Sequence, residues 1–243
     1  MLFVDLLGVR EMNRGRSAGK HLAAIERAVV RGAYRDFLAP DSPWLSAFFS
    51  DTLVLASPVQ RAGDEESSIG DLVVQAAWLQ LDLITEGFFV RGALTLGKFH
   101  IREGLIFGPA LVEAFELENA KAVHPRIILG PNAERSQHQD LRFYGQPEDS
   151  PQNLFLLGDA DGWTFINYLG LLFDDPGDPR PVLEMHREIV TVRLREYRNR
   201  RRLWEKYRWV AEYHNAVIAR QLPGESQLLV DTENITSQFE PFV

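Results

Sequence analysis

The sequence predicts an α+β protein: an α/β sandwich with a mixed, mostly antiparallel sheet, helices on one side and a helical C-terminal extension. Three observations carry that expectation. The run Ala47 to Pro58, AFFSDTLVLASP, holds two β-rich stretches separated by the polar pair Ser50-Asp51, which reads as a hairpin. Strand-like and helix-like segments alternate up to Leu129 in the order strand, helix, hairpin, helix, strand, helix, strand. Residues 182–221 have a helical pattern almost throughout, with a break near Asn199.

Met1 to Leu6 reads as a strand cut off by Gly8. Ser17 to Leu38 spaces Leu22, Ile25, Val29 and Tyr34 as an amphipathic helix would, and Pro40 and Pro43 close it. After the hairpin, Gln60 to Gly70 reads as a polar loop and Asp71 to Glu86 as a helix stopped by Gly87. Phe88 to Ile101 reads as one strand interrupted by Gly92 and Gly97, and glycine inside a strand marks a bulge or the close approach of another backbone. Pro109 suits the first turn of a helix running to about Ala122. A short strand follows at Ile127–Leu129. Residues 131–180 are mixed, with strand-like pieces at Leu154–Leu157 and Trp163–Ile166. Residues 1–172 thus form a core, the turn-rich run 173–181 a linker, and 182–243 a helical extension packed on the core or at a subunit interface.

The 243 residues are enough for one large domain, and 45% hydrophobic with 25% charged residues is ordinary for a globular protein. No apolar run approaches the ~20 residues needed to span a bilayer, and no secretion signal is visible, so a cytoplasmic address is expected. With no cysteine, disulfides, thiolate metal sites and a cysteine nucleophile are excluded. A net charge of −8 argues against general nucleic-acid binding. A phosphorylated small molecule stays compatible, because a bound cation and a few local Arg or Lys reverse the field locally.

Two carboxylates organise the functional reading. Asp5 ends the apolar run Met1-Leu-Phe-Val, and Asp51 sits at or beside the hairpin turn. If the first strand pairs beside the hairpin, both project from one sheet edge. Carboxylates sharing a small site repel each other unless a cation lies between them. Hard divalent ions such as Mg²⁺ take oxygen ligands and add substrate phosphates to one or two carboxylates.

Several stretches, in order, resemble the class III nucleotidyl cyclase catalytic domain, whose sheet is palm-like. They are Phe3-Val-Asp5-Leu6-Leu7-Gly8-Val9, Phe49-Ser50-Asp51-Thr52, Val90-Arg91-Gly92-Ala-Leu-Thr-Leu-Gly97 and Ile106-Phe107-Gly108. FGPALVEAFELENAKAVHPRIIL (Phe107 to Leu129) and Trp209-Val-Ala-Glu-Tyr-His214-Asn215 are similar to the compact bacterial cyclases of Pycsar antiphage defence, which make cyclic CMP or cyclic UMP. The chain lacks the Gly-Gly-Glu/Asp-Glu-Phe signature of the related diguanylate cyclases.

The resemblance implies two Mg²⁺ or Mn²⁺ ions held by Asp5, Asp51 and the main-chain carbonyl of Leu6. It implies Asp5, Asp51 and Arg91 as the catalytic set, with the phosphates cradled by the backbone of Leu7, Gly8 and Val9 together with Arg91 and Lys98. The positions that read the base fall on Ala47 and Leu105, with Phe48 and Phe49 able to stack on or enclose it. Ala47 and Leu105 carry no polar edge for a purine, so the resemblance implies UTP or CTP as substrate. The product would be a 3′,5′-cyclic pyrimidine nucleotide that acts on a separate effector protein. A purine cyclase with an atypical pocket and an inactive nucleotide-binding module remain as alternatives. The family builds its sites between two subunits, so a homodimer is implied.

The family's transition-state Asn and Arg fall on Val112 and Glu116, which leaves Arg91, Lys98 or Lys121 to supply the cation. Glu118 and Lys121, three residues apart on one helix, read as a structural pair. His214 reads as packed or hydrogen-bonded, and the arginines between Arg193 and Arg202 as a solvated helix face balanced by glutamates.

Overall fold

A computed structural model of the chain describes residues 1–8, 18–31, 44–59, 65–102, 105–140, 146, 150, 152–174, 176–231 and 240–241. Strand β1 (Leu2–Leu6) is apolar apart from Asp5, and Leu2, Val4 and Leu6 are buried on one face while Phe3 is buried on the other. A strand covered on both faces needs such a continuous apolar run. Helix α1 (Ala18–Glu26) continues as a π-helical stretch, Arg27–Arg31. The hairpin forms as β2 (Leu45–Phe49) and β3 (Thr52–Ala56), joined by Ser50 and Asp51. Helix α2 (Glu65–Thr85) leads through Gly87, at φ 85°, into β4 (Val90–Leu94). The small hairpin β5 (His100–Arg102) and β6 (Leu105–Phe107) precedes α3 (Pro109–Ala120) and β7 (Ile127–Leu129). Next come α4 (Pro131–Asp140), α5 (Gln152–Phe155), β8 (Leu156–Gly158), β9 (Thr164–Ile166) and a 3-10 turn, Tyr168–Phe173. The antiparallel helices α6 (Arg180–Tyr197) and α7 (Arg201–Gln221) follow, and β10 (Glu240–Pro241) returns to pair with β8.

The main sheet has the order β10-β8-β9-β7-β4-β1-β3-β2, and β5-β6 is a separate two-stranded sheet. Among the described ladders only β4–β7 is parallel. The expected mixed, mostly antiparallel α+β architecture is therefore present. Its first half runs β-α-β-β-α-β with spatial order β4-β1-β3-β2, the split β-α-β arrangement. Among the described residues no helix is long and apolar enough to cross a membrane.

Several expectations need correction. Helices cover both faces of the sheet, not one: His21 of α1 meets Phe88, whereas Phe115 of α3 packs edge-on against Phe3 of the opposite face. The stretch 88–101 is not one strand. An added Cβ on Gly97 would stand 3.3 Å from Ala110, and the N–H of Ala110 bonds Lys98 O, so the start of α3 turns the chain out of the sheet there. In α1 and the π-helical stretch after it, Leu22 is 65% exposed, while the buried face is Ala24, Ile25, Ala28 and Val29. Alanines carry half of that stripe, and a search for large apolar residues overlooks them. The part of that expected helix beyond Arg31, with Tyr34, lies outside the described residues. Helix α2 begins at Glu65, inside the stretch expected to be loop, and α4 forms where no helix was expected.

The C-terminal helices belong to the core. Tyr213 Oη on α7 donates to Asn167 Oδ1 (2.6 Å) and accepts the Leu169 N–H (2.9 Å). Arg126, fully buried beside β7, pairs with Asp159 and Asp161, and Trp209 Nε1 donates to the same Asp159 at 2.8 Å. One hydrophobic cluster runs from Met1 to Val230. His214 is fully buried and hydrogen-bonded, as its setting in the sequence suggested.

Candidate functional site

The pairing register sets Phe49, Thr52, Asp5 and Arg91 side by side across β2, β3, β1 and β4. Directly opposed residues share a face, so Thr52, Asp5 and Arg91, flanked by Phe49, form one row at this end of the strands. The hairpin turn adds the second carboxylate. Ser50 takes φ 57°, in the left-handed region that tight two-residue turns use, and Asp51 follows it. The Leu6 N–H donates to the Asp51 carbonyl at 2.8 Å, locking the turn to the end of β1. Asp5 and Asp51 therefore meet at one sheet edge.

The charges there are crowded and partly desolvated. Burial raises the Asp5 pKa; Arg91 works against that rise and the Asp51 charge adds to it. Arg91 Nη2 lies 3.4 Å from Asp5 Oδ2 and 2.5 Å from Glu118 Oε1. Glu118 reaches Arg91 because α3 lies over this face, with the rings of Phe3 and Phe115 6.1 Å apart. Its side chain is 4% exposed; burial raises its pKa, Arg91 lowers it and Asp5 raises it. Lys206 of α7 stands within electrostatic range of Asp5, Arg91 and Glu118, and burial lowers its pKa.

The structure thus gathers Asp5, Asp51 and Arg91, with Leu6 between the carboxylates. It does not gather every other expected residue. The Leu7 N–H already donates to Phe89 O at 2.8 Å, continuing the β1–β4 ladder, so it is not free to cradle a phosphate. Gly8 is in the left-handed region at φ 85°, and Val9 lies outside the described residues. Lys98 is at the wrong end. Asp5 opposes Arg91 near the start of β4, and Lys98 comes after the far end of that strand, Leu94, which is itself ~10 Å along at ~3.3 Å per residue. Phe48 and Phe49 point to opposite faces by strand alternation, so only Phe49, with Ala47, shares the face of Asp5. Leu105 belongs to the separate β5–β6 sheet, next to the Lys98 end, and is not part of the Asp5–Asp51 edge within one chain.

Thr52, Glu118 and Lys206 were missed in the sequence. Two of them left a signal. Ala110, Ala114 and Glu118, the buried residues of α3, recur every four positions, so Glu118 lies in phase with a small apolar stripe and not on the solvent face with Lys121. Lys206 falls four residues before Val210 and seven before Tyr213, in phase with the buried stripe of α7.

The donor chemistry suits a hard divalent cation. Two carboxylates whose mutual repulsion such an ion would relieve stand at one edge. Among the described residues no group of three or more His, Asp or Glu side chains could hold a metal by itself. Asp5 and Asp51 therefore fit an ion that completes its shell with water and substrate phosphates, as Mg²⁺ commonly does. An open cleft of about 520 Å³ is lined by His124, Asp161, Glu205, Arg208, Trp209 and Glu212, none of them a residue of the Asp5–Asp51 edge. Its Glu212 is held by Arg208 and its Asp161 by Arg126, a structural use of those charges. Compared with known proteins, the chain matches no family model, no curated protein and no solved structure.

Proposed function

We propose that the chain is a pyrimidine nucleotidyl cyclase on a palm-like sheet, converting UTP or CTP into the 3′,5′-cyclic monophosphate and pyrophosphate. The observation that supports this best is the meeting of Asp5 and Asp51 at one sheet edge with Arg91 directly opposite Asp5. The ribose 3′-hydroxyl would give its proton to solvent as its oxygen attacks the α-phosphorus; the bond from the α-phosphorus to the bridging oxygen breaks and pyrophosphate leaves with that oxygen. Two Mg²⁺ or Mn²⁺ ions, when bound, would acidify the 3′-hydroxyl and offset the triphosphate charge. Asp5, Asp51 and the Leu6 carbonyl would hold them. Arg91 would turn toward the phosphates, and Phe49 and Ala47 would line the path of the base. Leu105 would join such a pocket only from a second copy. Phe49, Val112 and Phe115, all more than half exposed, lie on the sheet's Asp5 face or on the helix that covers it and favour that copy as a homodimer.

A second reading is an inactive nucleotide-binding module. Arg91 is already engaged by two carboxylates, and Leu7 has no N–H to offer. Incubating the protein with each of the four ribonucleoside triphosphates and Mn²⁺, then separating products by chromatography, decides between them. A cyclic pyrimidine from the wild type, absent with Asp51→Asn, is the expected result. A cyclic purine alone would replace the substrate, and no product in any mixture would leave the module. Sedimentation at decreasing concentration should show activity falling as the dimer dissociates.

A further inference from the structure

Resting on the reading of the Asp5–Asp51 edge as a nucleoside triphosphate site, we infer that Lys206 binds the substrate's polyphosphate, so that α7 supplies part of the site. Tyr207 packs edge-on against Phe89 with ring centroids 5.0 Å apart, which seats this turn of α7 beside the start of β4, two residues before Arg91. From there Lys206 is within electrostatic range of Asp5, Arg91 and Glu118, and on its other side of His124. Its side chain is half-buried. Among the described residues it makes no hydrogen bond or ion pair.

Arg91 is differently placed: both Asp5 and Glu118 hold it, so its charge is largely offset before any substrate arrives. Asp5 and Glu118 face two cations, Arg91 and Lys206. A polyanion entering this edge needs a cation whose N–H donors are still open, and Lys206 is the one whose ammonium no described residue holds in a direct hydrogen bond or ion pair. An ammonium on a flexible stem suits that task, since it meets phosphate oxygens as a point charge without a fixed fork geometry. Neither Lys98, at the far end of β4, nor the exposed Lys121 has this position.

The test uses the full chain and inorganic tripolyphosphate in EDTA, titrated by calorimetry, alongside cyclisation assays with UTP and CTP in Mn²⁺. Lys206→Gln and the packing-preserving Lys206→Met should each weaken tripolyphosphate binding about ten-fold or more and raise KM more than they lower kcat. Lys206→Arg should restore most of the affinity, and melting temperatures should match the wild type. Wild-type affinity and KM in both neutral variants would overturn the inference while leaving cyclisation by the wild type standing. Loss of tripolyphosphate affinity in the variants, with no cyclic product from the wild type, would keep Lys206 as a phosphate residue and remove the cyclase reading. Absence of tripolyphosphate binding by the wild type, with or without Mn²⁺, would overturn both.

Discussion

Asp5 stands where stability and chemistry pull apart. Its folded-state pKa is raised by burial, and a carboxyl with a raised pKa costs the fold free energy whenever it is ionised. Asp5→Asn removes that cost together with the repulsion from Asp51, so the variant should melt at or above the wild-type temperature while losing all cyclic product. A melting temperature well below wild type would show that the Asp5 charge is instead a net stabiliser through Arg91. Arg91→Ala acts in the opposite sense. It leaves Glu118 buried without its counter-charge, a change that costs roughly 3–5 kcal/mol for a buried pair. Adding Glu118→Gln should recover much of that loss in denaturant titration, because the stranded charge is gone. Ser50 is a purely conformational case: at φ 57° a β-branched residue is strained, so Ser50→Val should cost about 1–2 kcal/mol and Ser50→Gly close to nothing.

At the level of elements, the glycines show what a sequence can and cannot announce. Gly92 interrupts a strand because β1 runs too close for a side chain: an added Cβ would fall 2.3 Å from Phe3 O. Gly92→Ala must push β1 and β4 apart and break the row that carries Asp5 and Arg91. The expected outcome is a loss of more than about 3 kcal/mol, or no folded protein, read by far-ultraviolet circular dichroism against denaturant. That glycine was legible as a close approach, as were β1, the hairpin, the Pro109 helix start and the break between α6 and α7, because each is set by neighbours in the chain. What could not be read depends on contacts between distant residues. The turn of the chain at Gly97 is dictated by Ala110 of α3, and the pairing of Arg91 with Glu118 by how α3 crosses the sheet. The direction of β4 is a related case. Reading Arg91 and Lys98 as neighbours ignored that a strand separates its two ends, and only the antiparallel register with β1 says which end meets Asp5.

Across the whole molecule, the polar groups that join its two ends should make it sensitive to acid. His214 Nε2 donates to Leu228 O at 2.8 Å, and a carbonyl only accepts, so the proton on that ring is at Nε2 and Nδ1 is an acceptor. His186 Nδ1–H then donates to His214 Nδ1 at 3.0 Å, and His186 Nε2 accepts from Tyr168 Oη at 2.8 Å. This chain ties α6, α7, the 3-10 turn after β9 and the segment at Leu228 with both rings neutral. Burial lowers His214 to about 4 and puts His186 well below its ordinary 6.5. Burial likewise lowers the Met1 amine, bonded to Thr95 O at 2.8 Å, to about 5. In each case the unfolded chain takes up the proton first, so stability is lost as pH falls. The Met1 amine contributes from pH 8 downward and the two histidines from pH 6.5, each by about 1.4 kcal/mol per pH unit. Asp5 and Glu118 oppose this, since their raised folded-state values let the native protein bind protons first and gain stability as pH falls through those values. Denaturant titrations at pH 7.5, 6.5 and 5.5 should therefore show stability dropping most steeply in the last interval. His186→Gln, which keeps a polar group beside Tyr168, should lower that slope by about one proton's worth. A stability unchanged from pH 7.5 to 5.5 would mean that the two rings are not held neutral in the interior, and the tie between the helical hairpin and the sheet would have to rest on the Tyr213 and Trp209 hydrogen bonds and on apolar contacts.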